Sequence, residues 1–467
     1  DSCFGASRRV SDRARQRDLT QGPVAKTLFL FALPSLGVNI LQSMNGSVNA
    51  VFVGQFLGEK ALAATANANM TLFLLYSTMF GFAMATTILI GQAMGRRDIA
   101  DVRRTLGAAI GLFGLMGVVC AALGWAFAPN ILQWLATPEA AFPFALTYLR
   151  VIFLGMPFAF LGVLLTSAMR GVGDAVTPLW NTLLNVVLDA GLNPVFILGL
   201  GPIPAMGIAG SAFASVLATF LSLLVLIWQI YRQDSAIRLK GPELRWLRPD
   251  IKHVGPILAK GMPMGLSMIV MSLSALVMIG LINREGVDMA AAYGVMNQLW
   301  SYAQMPAIAV GSAVSAMAAQ NIGAGNWSRL NRVAWAGIGI NVIMTVSLLG
   351  LITLAIYPLA GLFLPAGSPA IALAAHINFM IGWTFVLIGI SMVVSSVVRA
   401  NGAVIVPFLI LVLSVVVMRF GVGFWLYPQW GADAIWAAFG VSALTSALLS
   451  IAYYLHGGWR KSRMVAG

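Results

Sequence analysis

Apolar residues run through this chain in long blocks separated by short charged, glycine- and proline-bearing stretches. Twelve blocks stand out, near 25–54, 61–94, 104–128, 141–169, 177–199, 207–231, 254–283, 289–321, 333–357, 370–398, 402–427 and 432–455. Each reaches the roughly 20 residues that carry a helix across about 30 Å of hydrocarbon. Several are long enough to tilt or to extend past the bilayer. The pattern predicts an all-α membrane protein with twelve transmembrane helices.

Composition narrows the class. Of 467 residues, 59% are hydrophobic and only 9% charged, with mean hydropathy +0.88. A soluble domain carries roughly 25% charged residues, and a chain this poor in charge cannot clothe a water-soluble surface. The net charge of +13 reflects Arg and Lys sorted into loops and is no nucleic-acid signal. With the N-terminus placed inside, 24 of the 28 basic residues fall on the cytoplasmic side. They lie in the tail (Arg8, Arg9, Arg13, Arg15, Arg17, Lys26), at 96–104, in the central loop at 232–260, and at Arg170, Arg329, Arg332, Arg399 and the C-terminus. Lys60 and Arg284 fall outside, and Arg150 and Arg419 sit within spans. The positive-inside rule thus predicts both termini in the cytoplasm and a plasma (inner) membrane location. Residues 1–22 lack an apolar core before residue 24. They read as a basic tail held near acidic lipids rather than a signal peptide. Cys3 and Cys120 are too differently placed to predict a disulfide.

The two halves repeat. At an offset of 229 residues, Ser167, Arg170, Gly173 and Pro178 match Ser396, Arg399, Gly402 and Pro407, and Pro34 matches Pro263. At 228, Gln92, Gly95 and Arg104 match Gln320, Gly323 and Arg332. Each Pro or Gly alone could simply turn the chain at the membrane face; the pairing carries the argument. Six spans per half insert both halves the same way up, a plan transporters use for alternating access. The chain divides into a basic cytoplasmic tail (1–22), an N-terminal six-helix lobe (23–232), a cytoplasmic linker (233–252), a C-terminal six-helix lobe (253–456) and a second basic tail (457–467).

Charge inside a bilayer is costly and usually has a task. Fourteen of the fifteen acids lie in tails, loops or span ends; Asp189 alone sits mid-span. Asn181, Asn185 and Asp189 follow at i, i+4, i+8 and share one helix face. A carboxyl there could take up and release a proton through a cycle, or could bridge helices by hydrogen bonds alone. Span one carries Asn39, Gln42, Asn45 and Asn49; the last three could line a cavity with Asp189 or act as polar glue. Pro34 leaves a carbonyl without its helical partner and can hinge that span. Arg419 could meet a substrate anion or reach the interface. No phosphate-cradling Gly-Lys-Ser/Thr loop is present, and His253, His376 and His456 lack metal-ligand spacing. The sequence therefore predicts no enzyme, no cofactor and no resident metal.

Several stretches together resemble the multidrug and toxic compound extrusion (MATE) family, in its DinF-like subgroup. They are Ala32-Leu33-Pro34, Val48-Asn49-Ala50-Val51-Phe52-Val53-Gly54, Gly91-Gln92-Ala93-Met94-Gly95, the Arg170–Pro178 turn, Asn185…Asp189 and Gln320-Asn321-Ile322-Gly323. The resemblance covers about 25–455. It implies two pseudo-symmetric six-helix bundles and antiport of organic cations or amphipathic drugs against H⁺, or Na⁺. Asp189 then resembles the ion-coupling acid, Asn185 its partner, Pro34 the bending proline and Gln42 a cavity residue, with Asn45, Asn181, Tyr148 and Thr166 as further cavity candidates. Asn49 departs from the subgroup, which typically has Val-Asp there, so coupling would rest on Asp189 alone, be changed or be impaired. Acids of the NorM-like cation site are absent from spans seven and ten, which favours H⁺ in the N-terminal lobe. The expected partners are small amphipathic or cationic substrates and the lipid bilayer, with no nucleic acid, and the protein is expected to be a monomer. The alternatives are a flippase for lipid-linked oligosaccharide or polyprenyl lipid, and a transport-impaired homologue.

Overall fold

The computed structural model describes residues 17–464 apart from 136, 200–203 and 366. The arginines at 8, 9, 13 and 15 and Cys3 lie outside these. Among the described residues every regular element is helical, as the long apolar blocks require: with no water to receive backbone polar groups, each segment satisfies its own.

The first half contains α1 (Val24–Leu57), α2 (Glu59–Gly95), α3 (Ile99–Trp134), α4 (Phe142–Gly171), α5 (Val176–Leu198) and α6 (Ile208–Arg232). A 3₁₀ turn, Gly241–Leu247, follows. The second half contains α7 (Ile251–Arg284), α8 (Val287–Gly323), α9 (Trp327–Leu354), the short α10 (Ile356–Gly361), α11 (Pro369–Ile381), α12 (Thr384–Ala400), α13 (Ile405–Val412), a π-helical turn Leu413–Met418, α14 (Arg419–Trp430) and α15 (Asp433–His456). Among the described residues, ten helical stretches are long and apolar enough to cross a membrane, α13 to α14 counting as one. The pair α11 and α12, bent by 44°, makes an eleventh. The 37-residue α8 fills the remaining expected block.

The repeat is visible in the backbone. Left-handed or extended-positive φ values recur at matching turns: Gly58 and Gly286 (83° and 111°), Arg97 and Gly325 (61° and 70°), Gly173 and Gly402 (89° and 92°), Gly207 and Gly431 (57° each). The helix starts match too. Asp98 caps α3 by accepting from the Asp101 amide at 3.0 Å, and Asn326 caps α9 by accepting from the Arg329 amide at 3.2 Å. Either side chain satisfies a first-turn N–H that the helix leaves orphaned.

Two compact units form. One comprises the chain up to Asp18 with Gly37–Met262; the other comprises Leu19–Leu36 with Pro263–Gly467. Both divisions fall inside helices, just after Pro34 in α1 and just before Pro263 in α7. In the first unit, small residues let α3 and α4 approach closely: a Cβ on Gly117 would come within 2.6 Å of the Pro157 backbone, and one on Gly124 would enter the Phe153 ring. Ile90, Leu106, Leu165, Met169 and Leu226 form a buried cluster there. The 3₁₀ turn is tied to α3 by the Arg103–Glu243 ion pair at 3.0 Å.

In the second unit, Met296, Trp300, Ile377, Phe385 and Trp436 anchor the core. The segment entering α1 is held there as well. Arg329 donates to the carbonyls of Gly22 and Gln21 at 2.7 Å each. The Leu19 amide donates to Gln320 Oε1 at 3.1 Å, and Asn321 returns a bond to the Leu19 carbonyl at 3.2 Å. The chain's other end is fastened by Asn401, whose amide donates to the carbonyls of Trp459 and Ser462 at 3.0 and 2.9 Å.

Candidate functional site

The polar residues of the first unit are arranged as two facing ladders. On α5, Asn181, Asn185, Asp189 and Asn193 recur every four residues and therefore share one face. On α6, Ser211, Ser215 and Thr219 recur at the same interval, followed by Ser222. The helices pack side by side, and the ladders meet rung to rung.

Asp189 is the central rung and is 2% exposed. Its Oδ1 accepts from Ser215 Oγ at 2.8 Å and from Asn193 Nδ2 at 3.1 Å. The Asn45 side chain of α1 lies beside the carboxyl. One rung along, Ser211 Oγ donates to Asn49 Oδ1 at 2.9 Å, and Asn49 Nδ2 points to the Tyr148 hydroxyl of α4 at 3.5 Å. In the other direction, Asn185 Nδ2 donates to Ser222 Oγ at 3.0 Å and lies 3.4 Å from Thr219 Oγ1.

The structure thus brings Asp189, Asn45, Asn49 and Tyr148 into one connected neighbourhood built from α1, α4, α5 and α6. Asn185 belongs to the same ladder but spends its amide on α6. Asn181 keeps a buried Oδ1 without a hydrogen-bond partner. Thr166 turns its hydroxyl back to the carbonyls of Gly162 and Val163, at 2.9 and 3.0 Å. Gln42 is exposed. Pro34 is half-buried in α1, in the stretch assigned to the other unit. Ser215, Ser211 and Asn193 were not singled out from sequence. Their signal was the four-residue interval on the span following the acid, and the continuation of the α5 stripe to Asn193.

Among the described residues, no Lys, Arg or His forms an ion pair with Asp189. The carboxyl is surrounded by neutral hydroxyl and amide groups. Such groups can turn donor or acceptor toward it, so the pocket can host either a carboxylate or a carboxylic acid. Burying a bare charge at membrane depth is costly. The chemistry open to this group is neutralisation by a proton or a small monovalent cation. Among the described residues, no cluster of three or more His, Cys, Asp or Glu could hold a metal ion.

A family model described as MatE matches the chain twice, over 34–195 and over 263–425. The chain belongs to the MATE family. The two matches begin at Pro34 and Pro263, the same prolines that pair in the sequence repeat. A probable multidrug resistance protein, YoeA of Bacillus subtilis (strain 168), is 34% identical over 443 residues, covering 94% of this chain and 95% of that protein. A probable multidrug resistance protein NorM of Thermotoga maritima is 25% identical over 94% of each. A solved outward-facing multidrug resistance MATE family transporter of the MOP superfamily aligns with a TM-score of 0.86, at 19% identity, over 95% of this chain and 97% of that one. As a MATE family member, the chain is a multi-pass membrane transporter and not an enzyme.

Proposed function

We propose that the protein exports small amphipathic or cationic compounds from the cytoplasm across the plasma membrane by alternating access. It does so as a monomer with both termini inside, in exchange for H⁺ rather than Na⁺. The observation that carries the reading is the Asp189 carboxyl, buried without an ion pair and held by neutral groups that accommodate it protonated or not. A proton needs only this one carboxyl, and the absence of acids from spans seven and ten supports H⁺ over Na⁺. The names of the relatives, multidrug resistance proteins spanning the whole chain, support the substrate class. In this reading Asn185 and Asn49 serve ion coupling with Asp189, while Gln42, Asn45, Asn181, Tyr148 and Thr166 line the cavity that substrate passes. Pro34, whose missing N–H leaves the Leu30 carbonyl unpaired, lets α1 bend between states.

The test is transport of a fluorescent cationic dye in proteoliposomes under an imposed pH gradient and, separately, a Na⁺ gradient. Dye movement driven by the pH gradient, and lost in Asp189→Asn, supports the reading. A response to Na⁺ alone overturns the choice of ion, and no response to either gradient in folded protein overturns drug export for that dye. Asn49→Asp sharpens the result. It keeps the acceptor for Ser211 and adds the second carboxyl, so steeper dependence on the pH gradient is expected.

A further inference from the structure

In the second unit Arg419 lies inside an apolar span, and the repeat shows where it comes from. At the 229-residue offset Asn185 meets Ser414; at 230, Asp189 meets Arg419 and Gly191 meets Gly421. The one-residue slip falls in the π-helical turn Leu413–Met418. A π turn accommodates an extra residue and often marks a functional position. On the neighbouring helix, Gly207 and Gly431 share φ 57° with ψ −130° and −135°. They set an offset of 224, which makes Ser215 correspond to Phe439 and Ser211 to Ile435. The acid and its hydroxyl donor have become a base and an aromatic face.

Arg419 is 7% exposed. Its guanidinium lies 4.1 Å over the Phe439 ring and 3.4 Å from Ser274 Oγ. Its Nε has no hydrogen-bond partner, and no acid among the described residues forms an ion pair with it. A guanidinium offers five donors in a planar fork suited to a carboxylate, and here most of that capacity is unspent. Arg419 lines a cavity of about 160 Å³ within this unit, walled mainly by Met278, Leu281, Phe424 and Ile435. Arg284 and Glu285 lie on the same cavity, and the Tyr427 hydroxyl donates to Glu285. Two guanidiniums against one hydrogen-bonded carboxylate leave the lining positive. An apolar cavity of about 150 Å³ is enough to take a benzene ring.

We propose that this cavity binds a small amphipathic organic anion, an aryl or short-chain alkyl carboxylate. Its carboxylate rests on Arg419 and its apolar body on the Met278, Leu281, Phe424 and Ile435 walls. The site differs in position, charge and ligand class from the Asp189 neighbourhood, and it stands whether or not dye export does.

Benzoate is the probe. Purified full-length protein in neutral detergent is unfolded by heat against rising benzoate at constant ionic strength, with benzamide and benzylamine as neutral and cationic isosteres. A ligand that binds only the folded state raises the melting temperature as it saturates. Saturable protection by benzoate, absent with both isosteres, is expected, with at least a tenfold loss of apparent affinity in Arg419→Gln. Should that variant fail to fold, Gly423→Val decides. Its Cβ meets only Ala438 Cβ at an ordinary 3.5 Å, and the larger side chain fills the cavity while Arg419 stays; the same loss is expected. Equal protection by benzamide overturns the proposal, as does benzoate protection that survives in either variant or never saturates. Protection by phosphatidylglycerol but not by benzoate also overturns it, because the occupant would then be a lipid.

Discussion

Asp189 in α5 and Arg419 in α14 occupy matching places in the repeat, yet their surroundings differ in kind. Around Asp189, α5 and α6 supply hydrogen-bonding side chains and α1 brings the Asn45 amide alongside. Around Arg419, the neighbouring helix supplies a phenyl ring, and the guanidinium reaches the Ser274 hydroxyl at 3.4 Å. The backbone kept its repeat, turn for turn in φ, while the chemistry on it reversed sign. A carboxyl has few sites to satisfy, and turnable hydroxyls and amides serve it in either protonation state. A guanidinium has five fixed donors, more than an apolar unit can meet. The first arrangement suits an ion that comes and goes. The second leaves binding capacity for a ligand of the opposite charge.

The comparison can be broken or sharpened by substitution. The largest effect is expected at Asp189→Asn, which keeps the shape and the Ser215 contact but removes the exchangeable proton; the initial rate of gradient-driven dye movement should fall more than tenfold. Next is Arg329→Met in the second unit. It strips charge-assisted bonds from the Gly22 and Gln21 carbonyls, each worth about 1.5–3 kcal/mol, and thermal unfolding should show a loss of about 3 kcal/mol. Ser215→Ala asks how far the hydroxyl rung matters. One hydrogen bond of about 1 kcal/mol predicts a roughly fivefold slower rate in the same dye assay, and an unchanged rate would mean that Asn193 and Asn45 suffice.

The smallest effect is expected at Glu243→Gln in the connection between the two halves. Burial pushes the Glu243 carboxyl up, but the Lys240 amide and the Arg103 guanidinium together outweigh it and hold it below its ordinary range. A group depressed on folding stabilises above its unfolded value, near 4.3, and that contribution is lost as pH falls through the lower folded value. At neutral pH the variant should cost less than about 1 kcal/mol, because the half-buried pair is still in reach of water. Faster proteolysis between 233 and 250 would register it, and acidifying the parent should reproduce the change.

Asp189 was legible in the sequence because an acid inside a long apolar block admits few readings. Pro34 and Pro263 were legible because they pair across the repeat. The α6 ladder was not, since Ser and Thr are common in membrane helices and often bond their own preceding turn, as Thr166 does. Ser222 does both, donating to the Ala218 carbonyl at 2.7 Å while accepting from Asn185. Helical spacing put Gln42 on one face with Asn45 and Asn49, but spacing does not say how deep each sits: Gln42 is exposed and the two asparagines are half-buried. The slip that brings Arg419 opposite Asp189 was hidden because an ungapped comparison at 229 pairs Asp189 with Met418. Nor does hydropathy say which neighbours a half-helix packs against, so the division of α1 near Pro34 could not be read.

That division has a consequence for how the protein is made. Leu19 leaves the ribosome early, but Gln320, which receives its amide, lies 301 residues later. At about 5–20 residues per second, the opening of α1 waits roughly 15–60 s before its native partners exist. During that time the newborn first half holds a hydrophobic segment whose permanent neighbours have not been translated. A fragment ending at the connection between the halves would wait indefinitely, and supplying the second half in trans is what should release it.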